Sequence, residues 1–280
     1  MLGWIRLTGE DPVQLVEVLP GVRGYADLRE GMLRLIVIDG QFERDFFRLA
    51  EVLLPPRGTF FDVGANFGLI SVGLAGAVAP QAALHVFEPN PFLQPWLERS
   101  FGQFGDAAIT LNSCAVGDTA GTVRIQFNPL HTGASFVSSQ GTGDQIRCIR
   151  LDDYIQQRQI SRIDLLKLDV EGYELAVLLG LQQSLQAGVV RCLYFEFAQQ
   201  WLARHCQPAE VLQLLRDCGY SLFYCRQHDR GRSGLSFRSV QLAGLQRSLE
   251  LAAVDFGNLP EETDLLAIHS SVLNPAVVSG

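Results

Sequence analysis

The chain has 280 residues, of which 48% are hydrophobic and 19% charged, and its formal net charge at pH 7 is −8. This apolar content is ample for a buried core, which excludes a disordered or fibrous chain. The acidic balance argues against nucleic-acid binding, because phosphate backbones require a basic surface. The six cysteines form no CxxC pair and no Cys/His spacing that suits zinc, so we predict neither a disulfide framework nor a metal site.

No segment predicts export or membrane insertion. The N-terminal residues lack a basic start followed by a long apolar stretch, so we expect no signal peptide. The longest apolar run, LISVGLAGAVA from Leu69, is far shorter than a membrane span. Together with the absence of a disulfide pattern, this predicts a cytoplasmic protein without a membrane span.

Residues 1–57 predict an N-terminal extension made of a strand and a helix. The run LRLIVID at 33–39 is typical of a strand. Residues 41–54 predict a helix, because Phe42, Phe46, Leu49 and Leu53 recur at helical spacing. The two prolines at 55 and 56 end that helix.

Residues 58–280 predict one domain in which strands alternate with helices. We expect strands at 59–63, 83–88, 107–116, 162–170, 189–197, 220–225 and 263–269. We expect helices at 67–79, 91–104, 151–159, 174–185 and 208–219, with Pro91 in the first turn of the second. A strand pair falls within 122–149, and residues 226–262 predict a polar insertion. Such alternation predicts an α/β fold with a mostly parallel sheet covered by helices on both faces.

The loop DVGANFG between the first strand and helix of this domain predicts a ligand site. Ligands of open α/β sheets bind beyond the carboxyl ends of the strands. Gly64 permits a tight turn close to a ligand, and Gly68 removes a side chain where the helix meets the sheet. An ordinary strand-to-helix turn is the alternative. The loop lacks the GxGxxG spacing of a dinucleotide site, because Asn66 replaces the middle glycine.

Acids and amides follow the other strands of the predicted sheet. Glu88 ends the second strand, where a carboxylate accepts hydrogen bonds from ribose hydroxyls. Asn112, Ser113 and Ala115 follow the third strand, and Asp169 and Glu171 follow the fourth. Each also fits a plain surface position at a strand end.

The motifs FFDVGANFG, HVFEPNP, LNSCAVGD, HTGASF, IRLDDYI and IDLLKLDVEGYELAVLLG occur in this order. As an ordered set they resemble the FkbM family of S-adenosylmethionine-dependent methyltransferases, over about residues 42–197 and the terminal DLLAI. The resemblance implies the class I, Rossmann-like methyltransferase fold, with seven strands of which the last is antiparallel. It also implies O-methylation of a hydroxyl on a secondary metabolite, sugar or glycan.

The resemblance assigns the cofactor S-adenosylmethionine to residues of four loops. It implies contacts with the methionine part for Asp62, Gly64, Asn66 and Gly68, and with the ribose for Glu88, flanked by Asn90. Residues from Asn112 to Ala115 would border the adenine, and Asp169 would face the reacting methyl group.

Methylation of a hydroxyl benefits from a general base, for which the sequence offers Asp169, Glu196 and His131. Asp169 could instead bind the cofactor's amino group. Asp169 and Glu196 could also share a magnesium ion, but two acids do not establish one, and we predict no metal. Tyr173, Phe136, Trp201 and Tyr194 are candidates for the acceptor pocket or for the core. Two other functions remain open, an NAD-dependent oxidoreductase and a non-catalytic cofactor-binding module.

Overall fold

The computed structural model describes residues 12–29, 42–128, 135–137, 142–225, 237–243 and 247–273. The predicted strand at 33–39 and His131 lie outside these residues.

The main sheet has nine strands in the described part of the chain, so the expected count of seven is wrong. Their spatial order is β13-β14-β12-β15-β11-β10-β3-β4-β5. Their bounds are Thr59–Val63 (β3), Ala83–Phe87 (β4), Ile109–Asn112 (β5), Ile163–Leu168 (β10), Val190–Ala198 (β11), Tyr220–Cys225 (β12), Arg238–Gln241 (β13), Ser248–Ala253 (β14) and Glu262–His269 (β15).

The predicted α/β class with a mostly parallel sheet is confirmed. The strands β5, β4, β3, β10 and β11 are parallel neighbours, and β15 pairs antiparallel with both β11 and β12. The two additional strands, β13 and β14, form an antiparallel pair joined to the outer side of β12. They fall within the segment expected to be a polar insertion, so this segment extends the sheet.

Helices connect most of the parallel strands. Among the described residues their bounds are Arg44–Leu53 (α1), Leu69–Gly73 (α2), Gln94–Phe101 (α3), Leu151–Arg158 (α4), Glu174–Leu179 (α5), Gln182–Gln186 (α6), Gln199–Leu202 (α7) and Pro208–Asp217 (α8). A π-helical turn continues α2 over Leu74–Val78, and a 3₁₀ turn follows α3 over Gly102–Phe104. The longest described helices have ten residues, and none of them could cross a membrane.

Two hydrophobic clusters use alternate residues of the same strands. Phe60 and Leu165 belong to one cluster, whereas their neighbours Phe61 and Leu166 belong to the other. Because successive side chains of a strand point to opposite faces, the clusters lie on the two faces of the sheet. The first contains residues of α1, α2 and α3, and the second contains residues of α4, α5, α6 and α8.

A smaller, four-stranded sheet follows β5 along the chain. Its order is β6-β9-β7-β8, with bounds Ala115–Val116 (β6), Gly121–Gln126 (β7), Phe136–Val137 (β8) and Asp144–Ile149 (β9). The antiparallel pairing of β7 with β9 confirms the strand pair predicted within 122–149. A hairpin of Val13–Leu19 (β1) and Val22–Asp27 (β2) was not predicted, and its apolar residues belong to the first cluster.

Two predicted helices differ in detail. The helix expected to begin near Pro91 begins at Gln94, so Pro95 occupies its first turn. Phe92 N–H instead donates to the Asn90 side chain in a turn before the helix. The helix expected over 174–185 is divided into α5 and α6 near Gly180, where the carbonyl of Gly180 accepts from Asp152 N–H.

Candidate functional site

A cleft lies at the carboxyl ends of β3, β4 and β10, where the loops that follow these strands converge. The loops contribute Gly64, Asn66, Glu88, Asp169 and Glu171 to its walls. Parallel strands with one direction bring their carboxyl ends to one edge, and this edge is where the sequence predicts a ligand.

The loop after β3 makes a tight turn against the loop after β10. Gly64 has φ of 82°, a left-handed conformation that glycine adopts without strain. A Cβ atom at this position would overlap the backbone carbonyl oxygen of Asp169. The N–H groups of Gly64 and Ala65 both donate to the carbonyl of Phe87, at 3.0 and 3.1 Å. The three loops are therefore packed at backbone distance, and glycine is required at 64 for that approach.

Gly68, the residue before α2, has φ of 69° and is absent from the described residues that line the cleft. A Cβ atom here would contact Leu97 and Phe101, which belong to α3. The expectation that this glycine clears space against the sheet is wrong, because the close neighbour is a helix.

Glu88 is buried at the end of β4 and faces the cleft. Its Oε2 accepts from Asn66 N–H at 2.8 Å, and its Oε1 accepts from Asn90 N–H at 2.8 Å. Burial raises the pKa of Glu88 to about 7, although both backbone donors favour the ionised form. Each oxygen accepts one backbone bond and keeps a second lone pair for a ligand.

Asp62 lies on β3 and is absent from the described residues that line the cleft. It is 1% exposed, its Oδ2 accepts from the Ser71 hydroxyl at 2.6 Å, and its Oδ1 has no hydrogen-bond partner in the described chain. Burial raises the pKa of this carboxyl, and the nearby Lys167 opposes that rise.

Asp169 follows β10 and lines the cleft. Its Oδ2 accepts from the ammonium group of Lys167 at 2.7 Å, and the two side chains are 38% and 11% exposed. The lysine is held in its charged form, because Asp169 and Asp62 raise its pKa above the usual range. Asp169 therefore carries a direct ion pair at the carboxyl edge of the sheet.

Glu171 and Glu174 follow on the same loop. Glu171 lines the cleft, and burial with the nearby Asp169 raises its pKa to about 8. Glu174 is buried at the start of α5, where its Oε1 accepts from the N–H groups of Val170 and Gly172 at 3.2 and 3.3 Å.

Glu196 lies on β11 opposite Asp264 and is absent from the described residues that line the cleft. Burial and the nearby Asp169 raise its pKa to about 8.

Asn90 and Asn112 are buried beside the cleft. Asn90 fixes the turn after Glu88, and the Asn112 amide donates to the carbonyl of Val86 at 3.1 Å. Ala115 lines the cleft together with its neighbour Cys114.

One wall of the cleft was not predicted from the sequence. This wall belongs to the smaller sheet and its flanks, which contribute Ile125, Phe127, Ser135 and Val137. The signal was present, because Val123, Ile125 and Phe127 alternate with polar residues as in a half-buried strand. Of the aromatic candidates, Tyr173 lines the cleft, whereas Tyr194 is a core residue that packs against Phe46 at 5.2 Å.

No group of three or more His, Cys, Asp or Glu side chains within the described ranges is arranged to hold a metal ion. The site is therefore built from loop backbone, buried carboxylates and apolar side chains.

The parallel strands β5, β4, β3, β10 and β11, with a cleft at their carboxyl ends, define a Rossmann-like α/β protein. A family model for the methyltransferase FkbM domain matches residues 62–222, more than half of the chain. The chain belongs to the FkbM methyltransferase family.

Three curated relatives are 27–30% identical to this chain over the aligned residues. It is 30% identical over 165 residues to the 31-O-demethyl-FK506 methyltransferase FkbM of Streptomyces tacrolimicus, covering 48% of this chain and 63% of that protein. It is 28% identical over 193 residues to the AMB antimetabolite synthetase AmbE of Pseudomonas aeruginosa, 55% of this chain and 9% of that protein. It is 27% identical over 146 residues to the hexuronic acid methyltransferase AglP of Haloferax volcanii, 52% and 59%. The chain spans less than two thirds of each of these three relatives.

Among solved structures, a methyltransferase FkbM from Methylobacillus flagellatus aligns with a TM-score of 0.43 at 17% identity. That alignment covers 79% of this chain and 52% of the other.

Proposed function

We propose that this protein is an S-adenosylmethionine-dependent methyltransferase that methylates a hydroxyl group of a secondary metabolite, sugar or glycan. The observation that carries the proposal is Glu88, a buried carboxylate fixed by two backbone donors at the tip of β4 and facing the cleft. Family membership supports methyl transfer. The name of one relative specifies methylation at an oxygen, and that of another specifies a hexuronic acid.

The residues of the cleft fit an adenosyl ligand. Glu88 would accept hydrogen bonds from the two ribose hydroxyls, which are donors of the kind a carboxylate prefers. Cys114 and Ala115 offer an apolar wall for a flat base, and Asp169 and Glu171 offer negative charge for a cationic centre. The turn at Gly64 leaves no volume for a side chain, so the cleft is lined by bare backbone at this position.

The bound cofactor would supply an electrophilic methyl group on a positively charged sulfur. The protein's part is to hold the acceptor oxygen in line with that methyl group, and alignment of this kind lowers a barrier by about 7–11 kcal/mol. A hydroxyl acceptor also loses its proton, and a carboxylate that accepts it adds about 10²–10⁴-fold in rate. Charge disperses during the displacement, so no strong anion-stabilising group is required.

Calorimetric titration with S-adenosylhomocysteine and with NAD⁺ tests the cofactor. We expect S-adenosylhomocysteine to bind and NAD⁺ not to bind. Replacing Glu88 by alanine should weaken S-adenosylhomocysteine about 10–100-fold, because both ribose hydroxyls lose a charged acceptor. The matched control is Glu98→Ala, which removes an exposed carboxylate of α3 and should leave the affinity unchanged.

The two alternatives predict different results. Tight NAD⁺ binding without a response to S-adenosylhomocysteine would favour an oxidoreductase and refute the proposal. Binding of S-adenosylhomocysteine without any methylated product, across a panel of hydroxyl compounds followed by mass spectrometry, would favour the non-catalytic module.

A further inference from the structure

Glu171 has an uncommon backbone conformation at the wall of the cleft. Its φ is 54°, and that of the following Gly172 is 99°. A left-handed conformation costs a residue with a side chain about 1–2 kcal/mol. Such conformations persist only where neighbouring groups enforce them, and they are concentrated at functional sites.

The turn at Glu171 is held from two sides. Glu174 Oε1 accepts from the N–H groups of Val170 and Gly172, which flank Glu171. On the other side, a Cβ atom at Gly172 would lie 2.5 Å from the carbonyl oxygen of Trp201, so the backbones are in close contact. These contacts hold the backbone on both sides of Glu171, which lines the cleft.

The other described candidates for a base are less suited. The carboxylate of Asp169 already forms an ion pair with the ammonium group of Lys167, at 2.7 Å. Glu196 is absent from the described residues that line the cleft. Glu171 lines it, two residues beyond Asp169.

We propose that Glu171 is the general base that removes the proton of the acceptor hydroxyl. This inference rests on the proposed methyltransferase function. In the step, an oxygen lone pair of the acceptor forms the bond to the methyl carbon. The carbon–sulfur bond breaks and its electron pair stays on sulfur, giving S-adenosylhomocysteine. The hydroxyl proton moves to a carboxylate oxygen of Glu171.

The charged surroundings of Glu171 agree with this role. Burial and the acids Asp169 and Glu174 raise its pKa to about 8, while Lys167 and Arg204 oppose the rise. Glu196, also nearby, carries a further negative charge when ionised. A base is most effective when its pKa lies near the working pH, and a carboxylate at 8 meets that condition.

The test uses sinefungin, an analogue of S-adenosylhomocysteine with a primary ammonium group near the position of the transferred methyl group. An ionised Glu171 should bind this ammonium. The dissociation constant of S-adenosylhomocysteine divided by that of sinefungin therefore measures how strongly the carboxylate at the acceptor position binds the ammonium group. This measurement needs no acceptor. In the wild type we expect this ratio to rise with pH between 6.5 and 8.5.

Glu171→Gln should lower that ratio about tenfold or more at pH 8.5, because a charge-assisted hydrogen bond is lost. It should also remove the rise with pH, while the affinity for S-adenosylhomocysteine stays within about twofold. Glutamine has the same backbone preferences, so the turn is preserved, and circular dichroism checks the fold. Glu262→Gln removes an exposed carboxylate outside the cleft lining and should leave the ratio unchanged.

An unchanged ratio in Glu171→Gln would overturn the inference, as would a loss seen in Asp169→Asn and not in Glu171→Gln. In both cases, S-adenosylhomocysteine binding would leave the proposed function standing. Failure of the wild type to bind S-adenosylhomocysteine would refute the proposed function itself, and the assignment of Glu171 with it.

Discussion

The proposed contact of Glu88 with the ribose predicts that binding of an adenosyl ligand depends on pH in a definite direction. Burial raises the pKa of its carboxyl to about 7, the backbone donors at Asn66 and Asn90 lower it, and the acids Asp62 and Asp169 raise it further. Ribose hydroxyls donate hydrogen bonds and therefore favour the ionised carboxylate. Binding should strengthen as the pH rises through 7, because less of the free protein then has to release a proton.

The size of the effect follows from the same value. With a pKa of about 7, roughly one carboxyl in eleven is ionised at pH 6 and roughly ten in eleven at pH 8. The dissociation constant of S-adenosylhomocysteine should therefore fall about tenfold between these pH values, which corresponds to about 1.4 kcal/mol. Near pH 7, binding should release about half a proton.

Isothermal titration calorimetry at pH 6, 7 and 8, in buffers of different ionisation enthalpy, measures both quantities. Glu174 titrates near 7 and Glu171 and Glu196 near 8, so the assignment requires a variant. In Glu88→Ala the pH dependence should largely disappear. A wild-type affinity that is constant from pH 6 to 8, or an equal dependence in the variant, would refute the assignment of Glu88.

Two further substitutions test the framework of the site. Gly64→Ala should destabilise the protein by several kcal/mol, because the added methyl group would overlap the carbonyl oxygen of Asp169 at a residue with positive φ. The control Gly102→Ala should cost little, because a Cβ atom there would meet no neighbour within 4 Å. Equal urea midpoints for the two variants would contradict this prediction. Asp164→Ala should lower the free energy of unfolding by about 3 kcal/mol, because this buried carboxylate accepts from Thr59 N–H and from two arginines. A change below about 0.5 kcal/mol in urea denaturation would show that these bonds are dispensable.

The sequence predicts the parallel part of the sheet well because its strands are nearly continuous apolar runs. TFFDV and IDLLKL are buried along their whole length or nearly so, as strands covered on both faces must be. The strands β13 and β14 were missed because they are short and partly exposed. Within RSVQ, for example, Val240 alone is buried, so the sequence resembles that of a polar loop. Their structure also depends on pairing between segments that are apart in sequence, because β14 pairs with β12 and β13 pairs with β14.

The residues of the candidate site also differ in how well the sequence predicts their location. Glu88 and Asp169 could be located from sequence, since each follows an apolar strand and parallel strands end at one edge. The wall formed by Ile125 and Phe127 could not be located, because it depends on how the smaller sheet folds over that edge. An alternating pattern predicts a strand but not the surface that its apolar face covers.

The ion pair between Asp169 and Lys167 follows from the alternation of side chains along a strand. Lys167 and Asp169 are two residues apart at the end of β10, so an extended chain places both side chains on one face. The structure joins them at 2.7 Å, and Asp62, opposite Lys167 on β3, adds to the negative charge around the lysine. One lysine thus compensates the acids of the inner strands, while Glu171, carried beyond the strand by the turn, has a raised pKa. Asp169 and Glu171, only two residues apart, therefore differ in their surroundings. Asp169 is ion-paired with Lys167, and burial with nearby acids suits Glu171 to accept a proton.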